Sequence, residues 1–223
     1  MRQDCSPGSA NCYPRLTAPS EREPFALNSS GVPVACPQYA SSGCCTAAAN
    51  SQLFLSFLIE ENSLGEPSQG GCPACSANVQ GLWCAFACSP QQSDFVEVVG
   101  LHNTTANGTQ FLVNLTYQDG FASSVYSSCA GVGMVRGNPA LSTAAQFLNY
   151  MGQQGVSTAN TLVEFVSGGG QAGLTLPTYN CCSWPANISD PGATGNSSCP
   201  CASCLGSCPN MTCNSDPSYY FID

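Results

Sequence analysis

The sequence contains almost no positive charge. It has no lysine and only four arginines among its 223 residues, against 13 acidic residues, which gives a formal net charge of −9 at pH 7. A chain of this charge is repelled by the phosphates of nucleic acids and by anionic membrane surfaces. We therefore expect no nucleic acid among its partners.

Apolar runs long enough to cross a bilayer are also missing. A spanning helix needs about 20 predominantly apolar residues in succession, and the sequence has no such run. The first residues, MRQDCSPG, carry no apolar stretch of the kind that a signal peptide contains. The chain is interpreted as a soluble piece of a larger secretory protein, with its signal peptide removed.

Residues suited to catalysis are scarce. His102 is the only histidine, and a Ser-His-Asp triad would have to be built on the segment around it, which is rich in glycosylation motifs. The carboxylates form no pattern suited to hard cations, and there is no glycine-rich phosphate loop. These absences predict a protein that is not an enzyme and that holds no metal or other cofactor.

Cysteine, by contrast, is abundant, with 17 in the chain. The stretch CPACSANVQGLWCAFACSP places four of them between Cys72 and Cys88. A zinc site would leave 13 other cysteines unexplained beside a single histidine. A redox Cys-X-X-Cys motif would need a thioredoxin-like βαβ context, which the sequence lacks. Disulfide bonds formed in an oxidising compartment are the favoured interpretation.

Glycosylation motifs support the same compartment. Seven Asn-X-Ser/Thr sequons are present, and three of them fall between residues 103 and 116, which predicts a solvated loop or a sheet edge there. They begin at Asn28, Asn103, Asn107, Asn114, Asn187, Asn196 and Asn210.

Two helices are predicted around the cysteine-rich centre. Val79, Trp83 and Phe86 follow an amphipathic helical spacing, which places Cys84 and Cys88 on one face. A second helix, over residues 53–59, is apolar almost all round and is predicted to be deeply buried. Its polar stripe has two interpretations, either a solvent-facing strip or the polar end of an oily cavity.

Further elements follow from spacing and composition. Strands are predicted over residues 94–100, 110–117 and 173–177, and helices over 121–129 and 141–151. The glycine run 168–170 predicts a flexible loop. Residues 1–36 form a predicted irregular lobe, and the tail from Cys181 is expected to be loop-like.

The order and spacing of these cysteines resemble the luminal N-terminal sterol-binding domain of the Niemann-Pick type C transporter. The matching segments are Cys36-Pro37, Cys44-Cys45-Thr46, the block from Cys72 to Pro90 with Gln92, Ser93 and Phe95, then Tyr126 to Cys129 and Cys199 to Pro209. The resemblance implies an α+β fold, a helical domain with a small mixed β-sheet that is disulfide-rich and encloses an apolar ligand pocket. Residues 1–208 would form this domain, and residues 209–223 would begin a linker to a membrane region.

The same resemblance implies a set of disulfides. Cys204 would join Cys181 or Cys182, and the other implied pairs are Cys36 with Cys84, Cys45 with Cys88, Cys72 with Cys199, Cys75 with Cys129, and Cys201 with Cys208. Spacing by itself allows many other connectivities.

The implied ligand is a sterol whose 3β-hydroxyl is hydrogen-bonded by two amides. Asn11 resembles the first, and Gln52 stands three residues after Ala49, which occupies the position of the second. Ser56 shares the polar stripe of Gln52. The pocket walls would be Leu53, Phe57, Trp83, Phe86, Leu174 and Leu176, and an exposed transfer surface would include Met134 and Val135.

A domain of this family would act in the lumen of a lysosome or vacuole. Its expected partners are the sterol, a soluble sterol-carrier protein and the transporter's own membrane domains. The alternatives are a secreted folate-receptor-like vitamin binder, a thiol oxidoreductase, and a purely structural ectodomain with a filled core.

Overall fold

The structure, a computed structural model, describes residues 34–45, 47–66, 69–104, 108–154, 161–170, 172–179, 184–185 and 196–197. Several predictions concern residues outside these ranges. They are the hydroxyl contact of Asn11, residues 1–33 of the lobe predicted over residues 1–36, the linker 209–223, and the cross-links assigned to Cys181, Cys182, Cys199, Cys201, Cys204 and Cys208.

Helices and strands alternate in groups along the described chain. Their order is α1 (Ala47–Glu60), a π-helical turn (Glu61–Gly65), α2 (Pro73–Cys88), β1 (Val96–Thr104), β2 (Gly108–Tyr117), α3 (Asp119–Cys129), α4 (Ala144–Gln154), β3 (Thr161–Ser167), β4 (Trp184–Pro185) and β5 (Asn196–Ser197). Short 3-10 turns lie at Pro37–Tyr39, Gln92–Asp94 and Pro139–Leu141.

Helix α2 begins and ends where its sequence dictates. Cys72 is extended and Pro73 occupies the first turn, where a missing N–H is tolerated. Ser89 leaves the helix in an extended conformation, as expected of a residue that precedes a proline. Between these ends nearly every side chain is buried, so α2 is the central helix of the described fold.

Three strands form one mixed sheet in the order β1-β2-β3. β1 and β2 are antiparallel, with Val96 opposite Leu115, whereas β2 and β3 are parallel, with Leu115 opposite Phe165. The parallel pair needs a long crossover, which α3 and α4 supply. β4 and β5 pair separately. The predicted α+β architecture with a small mixed sheet is therefore confirmed.

β3 was not among the predicted strands. The strand predicted over residues 173–177 is instead an extended segment that makes one parallel bridge, between Leu174 and Tyr117. It passes so close to β2 that a Cβ at Gly173 would lie 2.6 Å from a backbone atom of Thr116. Gly173 also has a φ of 99°, which side chains rarely adopt.

Helix α1 is less buried than its composition predicts. Leu53 and Phe57 are each only 6% exposed, but Leu55, Leu58 and Ile59 are 61%, 50% and 72% exposed. The prediction of burial on all sides is therefore wrong for this helix. α1 buries one face at a four-residue spacing and leaves an apolar ridge in solvent.

Disulfides account for the central cysteine cluster. Cys75 pairs with Cys129, Cys84 with Cys36, and Cys88 with Cys45, as the resemblance implies. Cys72 is also disulfide-bonded, and its partner is none of the other described cysteines. Cys44 is the free cysteine of the described part, and it is partly exposed.

The described residues of the sequon-rich segment lie in strands. Asn103 belongs to β1, an edge strand as predicted, whereas Asn114 lies in β2, the central strand of the sheet. Its Oδ1 is buried without a hydrogen-bond partner in the described structure. The prediction of a solvated loop or edge is therefore wrong for Asn114. Across the described residues, no helix combines the length and the apolar character that crossing a bilayer requires.

Candidate ligand-binding site

An aromatic cluster joins α2 to the inner face of the sheet. The Trp83 ring lies edge-on to Phe86 at 5.7 Å and to Phe165 at 6.2 Å between ring centroids. Tyr117 continues the series, 6.4 Å from Phe165. Side chains on alternate strand positions share one sheet face, which is why the buried residues of β2 and β3 meet the helices together. The cluster is the most aromatic part of the described core.

Aliphatic side chains from two other segments extend this cluster. Leu53 and Phe57 of α1 belong to the same buried apolar cluster as Trp83. Leu174 is 4% exposed and joins it as well, and Leu176 is partly buried against it. The six apolar residues proposed as pocket walls are thus brought to one core, although they come from segments that lie far apart in the sequence.

Cross-links hold α2 in this position. The disulfides of Cys84 and Cys88 tie its C-terminal half to residues 36 and 45, and that of Cys75 ties its first turn to the end of α3. A disulfide stabilises mainly by limiting the unfolded chain, typically by about 2–4 kcal/mol. The helix that carries Trp83 and Phe86 is therefore fixed at both ends.

The predicted polar stripe on α1 does not face the core. Gln52 is exposed and Ser56 is partly buried. Asn50, which the sequence reasoning missed, is fully buried, and its Oδ1 accepts a hydrogen bond from the Ala35 N–H at 2.9 Å. The sequence could have predicted this burial, because Asn50 lies three residues before Leu53 and residues three apart share a helix face.

A second buried amide, Asn78, makes three hydrogen bonds within the fold. Its Nδ2 donates to Ser128 Oγ at 2.9 Å and to the Tyr179 carbonyl oxygen at 2.8 Å. Its Oδ1 accepts from the Tyr179 N–H at 2.8 Å. Asn78 therefore tethers the segment that follows Leu176 to α2, and both N–H groups of its amide are used within the fold.

The indole nitrogen of Trp83 has no such partner. Trp83 is 1% exposed, and its Nε1 is buried with no hydrogen bond in the described structure. A buried unpaired donor costs about 1–3 kcal/mol. The rings that contact Trp83 edge-on are those of Phe86 and Phe165, which offer this nitrogen no oxygen or nitrogen acceptor.

A carboxyl group lies on the buried side of α1. Glu60 follows Leu53 and Phe57 at helical spacing, and its Oε1 is buried without a partner. Burial raises the pKa of Glu60 well above the ordinary carboxyl value, and repulsion from Glu61 adds to the rise. A hydrogen bond with Ser76 on α2 opposes this rise in part. The group is therefore poised to be neutral at a pH where surface carboxylates are charged.

Tyr117 is the other titratable member of the region. Burial raises its pKa, and the negative charge of Asp119 raises it further. The phenol therefore stays protonated throughout the physiological range.

Only one of the two residues predicted to form the transfer surface is exposed. Met134 is 38% exposed, as expected, but Val135 is 2% exposed and belongs to the core. The predicted exposure is therefore wrong for Val135. The turn between α3 and α4 places consecutive side chains on opposite sides, so only one of the two faces solvent.

The arrangement suits holding an apolar molecule. Within the described ranges, no group of three or more His, Cys, Asp or Glu side chains is placed to hold a metal ion. The four clustered thiols are consumed in disulfides. What the site offers is aromatic and aliphatic surface, with a few polar groups at its margins.

Comparison with known proteins identifies relatives for this chain. The family described as Niemann-Pick C1 N terminus matches residues 1–220. The human NPC1-like intracellular cholesterol transporter 1 is 29% identical over 185 residues, which cover 76% of this chain and 13% of that protein. Its rat counterpart is 30% identical over 192 residues, or 78% of this chain and 14% of that protein. The NPC intracellular cholesterol transporter 1 homolog 1 of Caenorhabditis elegans is 27% identical over 182 residues, 69% of this chain and 13% of that protein.

Proposed function

The chain belongs to the Niemann-Pick C1 N-terminal family, and on that premise we propose that it binds a sterol and passes it to or within a membrane transporter. The sterol is cholesterol-like or ergosterol-like. The relatives' names describe cholesterol transport, which supports a carrier that releases its ligand unchanged. The chain spans only 13–14% of the length of the curated relatives it matches, so the complete transport activity is part of this proposal.

The observation that carries the proposal is the shared apolar core of α1, α2, the sheet and Leu174. We propose that Leu53, Phe57, Trp83 and Phe86, together with Leu174 and Leu176, form the walls of the sterol site. A sterol is a rigid hydrocarbon with a single hydroxyl, so removal of its apolar surface from water drives binding, at roughly 25 cal/mol per Å² before association costs. Rigid rings matched to rigid aromatic walls lose little entropy on binding.

The hydroxyl end needs only a few polar groups. In this proposal Asn11, Gln52 and Ser56 are the candidates that hydrogen-bond it. Ser56 lies at the boundary between the buried and exposed faces of α1, and Gln52 lies one turn before it on the exposed side. These two residues would therefore act at the rim of the site, where the sterol hydroxyl meets solvent.

Transfer requires an exposed apolar contact near the site. We assign this role to Met134 rather than to the buried Val135. The proposed partners are a soluble sterol-carrier protein and the membrane domains of the same transporter, and the proposed location is the lumen of a lysosome or vacuole. Because the chain is strongly acidic, a partner surface carrying basic residues would be favoured electrostatically.

Direct sterol binding tests the proposal. We expect saturable binding of radiolabelled cholesterol or ergosterol between about pH 5 and pH 7. Leu53→Ala should weaken it roughly tenfold through lost apolar contact, whereas Leu55→Ala, a matched change on the exposed ridge of the same helix, should leave it unchanged. Asn11→Ala and Gln52→Ala should weaken it if these amides bind the hydroxyl. Absence of saturable binding by the wild-type chain across this pH range would contradict the proposal.

A further inference from the structure

The extended segment that carries Leu174 and Leu176 is held at both of its ends. Residues 174–179 are called the wall segment below. We propose that Asn78 of α2 is a positioning residue of the sterol site: its side chain holds the far end of the wall segment and thereby places Leu176 against the bound ligand. This inference rests on the proposed function, because it names a residue on which the affinity of the same site depends.

The sheet holds the near end of the wall segment. The Leu174 N–H donates to the Thr116 carbonyl oxygen at 2.8 Å, and the Leu174 carbonyl oxygen accepts from the Gln118 N–H at 3.1 Å. Both backbone groups of Leu174 are thus bonded to β2 and to the residue that follows it. Leu174 should therefore keep its place even if the other end of the wall segment is released.

An amide side chain takes the place of a neighbouring strand at the far end. Asn78 Oδ1 accepts from the Tyr179 N–H, and Asn78 Nδ2 donates to the Tyr179 carbonyl oxygen, each at 2.8 Å. The pair engages both backbone groups of Tyr179, as a hydrogen-bonded partner residue in an antiparallel sheet would. Asn78 is 4% exposed and belongs to the central helix, so this anchor is rigid.

Leu176 lies between the two held ends. Burial alternates along the wall segment, with Leu174 buried, Leu176 and Thr178 partly buried, and the residues between them exposed. Alternate side chains of an extended chain point to the same side, so Leu174 and Leu176 share the inner side. Residues 175–178 make no backbone hydrogen bond to another described residue. The position of Leu176 therefore depends on how the far end is held.

The third hydrogen bond of Asn78 serves a different contact. Its Nδ2 also donates to Ser128 Oγ of α3 at 2.9 Å. Beside this bond, the Cys75–Cys129 disulfide already joins α2 to α3 covalently. The wall segment, by contrast, contains no cysteine. The bond to Ser128 is therefore backed by a cross-link, whereas the pair with Tyr179 is not, and mutation can separate the two roles of the amide.

Cholesterol affinity tests the positioning role. Asn78→Ala removes both bonds to Tyr179, so the ligand itself must then order the wall segment. We expect the dissociation constant for radiolabelled cholesterol to rise roughly 5- to 150-fold, the range that corresponds to two lost hydrogen bonds. Ser128→Ala is the matched control. It removes the α3 bond of the same amide but keeps the pair with Tyr179, and its dissociation constant should stay within about twofold of wild type.

A double-mutant cycle distinguishes positioning from a general loss of stability. If Asn78 acts through Leu176, Asn78→Ala should weaken binding much less in the Leu176→Ala chain, where the contact is already gone. Leu53→Ala alters a wall on α1, so its effect should multiply with that of Asn78→Ala. A residue that only stabilises the fold would weaken binding by the same factor in both backgrounds.

A measurement on the wild-type chain covers the case in which Asn78→Ala does not fold. If Asn78 positions a wall that contacts the ligand, bound cholesterol must in turn strengthen the bond from the Tyr179 N–H to Asn78. We expect cholesterol to slow hydrogen exchange at the Tyr179 N–H at least about fivefold. The comparison is the Ala140 N–H, which donates to Asn138 Oδ1 at 3.0 Å in the turn between α3 and α4 and should change little. Equal slowing at both amides, or none at Tyr179, would overturn the inference.

The outcomes separate this inference from the proposed function. A larger rise in the dissociation constant for Asn78→Ala than for Ser128→Ala, with non-additivity confined to Leu176→Ala, supports the inference. If wild type binds cholesterol saturably and the two variants bind it equally well, or the effect of Asn78→Ala is the same in both wall backgrounds, the inference is overturned and the proposed function stands. Absence of saturable binding by wild type would overturn both.

Discussion

Removal of the Cys75–Cys129 disulfide is the perturbation whose effect the structure determines most directly. This bridge links the first turn of α2 to the end of α3, and both cysteines are 0% exposed. In the double variant Cys75→Ala, Cys129→Ala the unfolded chain gains conformations that the cross-link excludes. The folded state keeps the surrounding packing apart from the two lost sulfur atoms. We therefore expect a lower free energy of unfolding with the fold retained.

The separation of the two cysteines sets the magnitude. For 54 residues the loop-entropy relation gives about 4 kcal/mol. The same relation gives nearly equal values for Cys36–Cys84 and Cys45–Cys88, which close separations of 48 and 43 residues, because the entropy varies only with the logarithm of loop length. Loss of the two buried sulfurs adds a packing cost, so the measured loss should not fall below the lower end of the usual range for disulfides, about 2 kcal/mol.

Urea unfolding without reductant, followed by tryptophan fluorescence, measures this loss. Cys44→Ala is the matched control, because Cys44 is free and partly exposed, and its change should stay within about 0.5 kcal/mol. Each single variant, Cys75→Ala or Cys129→Ala, breaks the same bridge. Each should therefore cost nearly as much as the double variant, which is a strongly non-additive result.

Two results would refute this reasoning. One is a double variant whose free energy of unfolding lies within about 1 kcal/mol of wild type, which would mean that packing alone holds α2 against α3. The other is additivity of the two single variants, which would mean that the sulfurs act separately rather than as one cross-link.

Two further predictions concern backbone contact and protonation. A Cβ at Gly152 would lie 2.2 Å from a carbonyl oxygen of β3, so Gly152→Ala should lower the thermal midpoint of unfolding. The control is Gly81→Ala on α2, where a Cβ has no neighbour within 4 Å and the change should raise the free energy of unfolding by about 0.5–1 kcal/mol. A calorimetric scan in which Gly152→Ala matches wild type would contradict the expected clash. Burial raises the pKa of Glu60, so the stabilisation from its neutral form is complete below the unfolded pKa of about 4.3 and is lost as the pH rises towards the folded pKa. Glu60→Gln should therefore be more stable than wild type at neutral pH and equal to it near pH 4, with the exposed Glu164→Gln as the control; a stability difference that does not change with pH would exclude this titration.

Local patterns predicted those elements whose signals are strong and short-range. The spacing of Val79, Trp83 and Phe86 indicated α2, and it placed Cys84 and Cys88 on one face of this helix. The two long strands of the hairpin and helices α3 and α4 were predicted close to their observed ranges. β3 was missed, although residues 161–167 alternate in burial once the sheet is assembled. The cysteine connectivity came from resemblance, since spacing cannot distinguish among the pairings.

Helix α1 shows why burial was harder to predict. Apolar side chains surround it almost completely, so its periodicity contains no information about which face meets the core. The observed choice buries Leu53 and Phe57 and leaves Ile59 in solvent. For the same reason the polar stripe of Gln52 was open to two interpretations, and its exposure follows from the orientation that packing against α2 imposes.

Composition and local order, taken alone, determined that this chain is acidic and disulfide-rich, with an amphipathic helix at its centre and the cysteine order of the Niemann-Pick C1 N-terminal family. The tertiary structure decided which apolar faces meet and which polar atoms lack partners. Asn78 is satisfied by Ser128 and Tyr179, which lie 50 and 101 residues away in the sequence, and Trp83 of α2 meets Phe165 of β3. Helical and strand periodicity act over a few neighbouring residues, whereas burial and hydrogen bonding depend on groups that only the folded chain brings together.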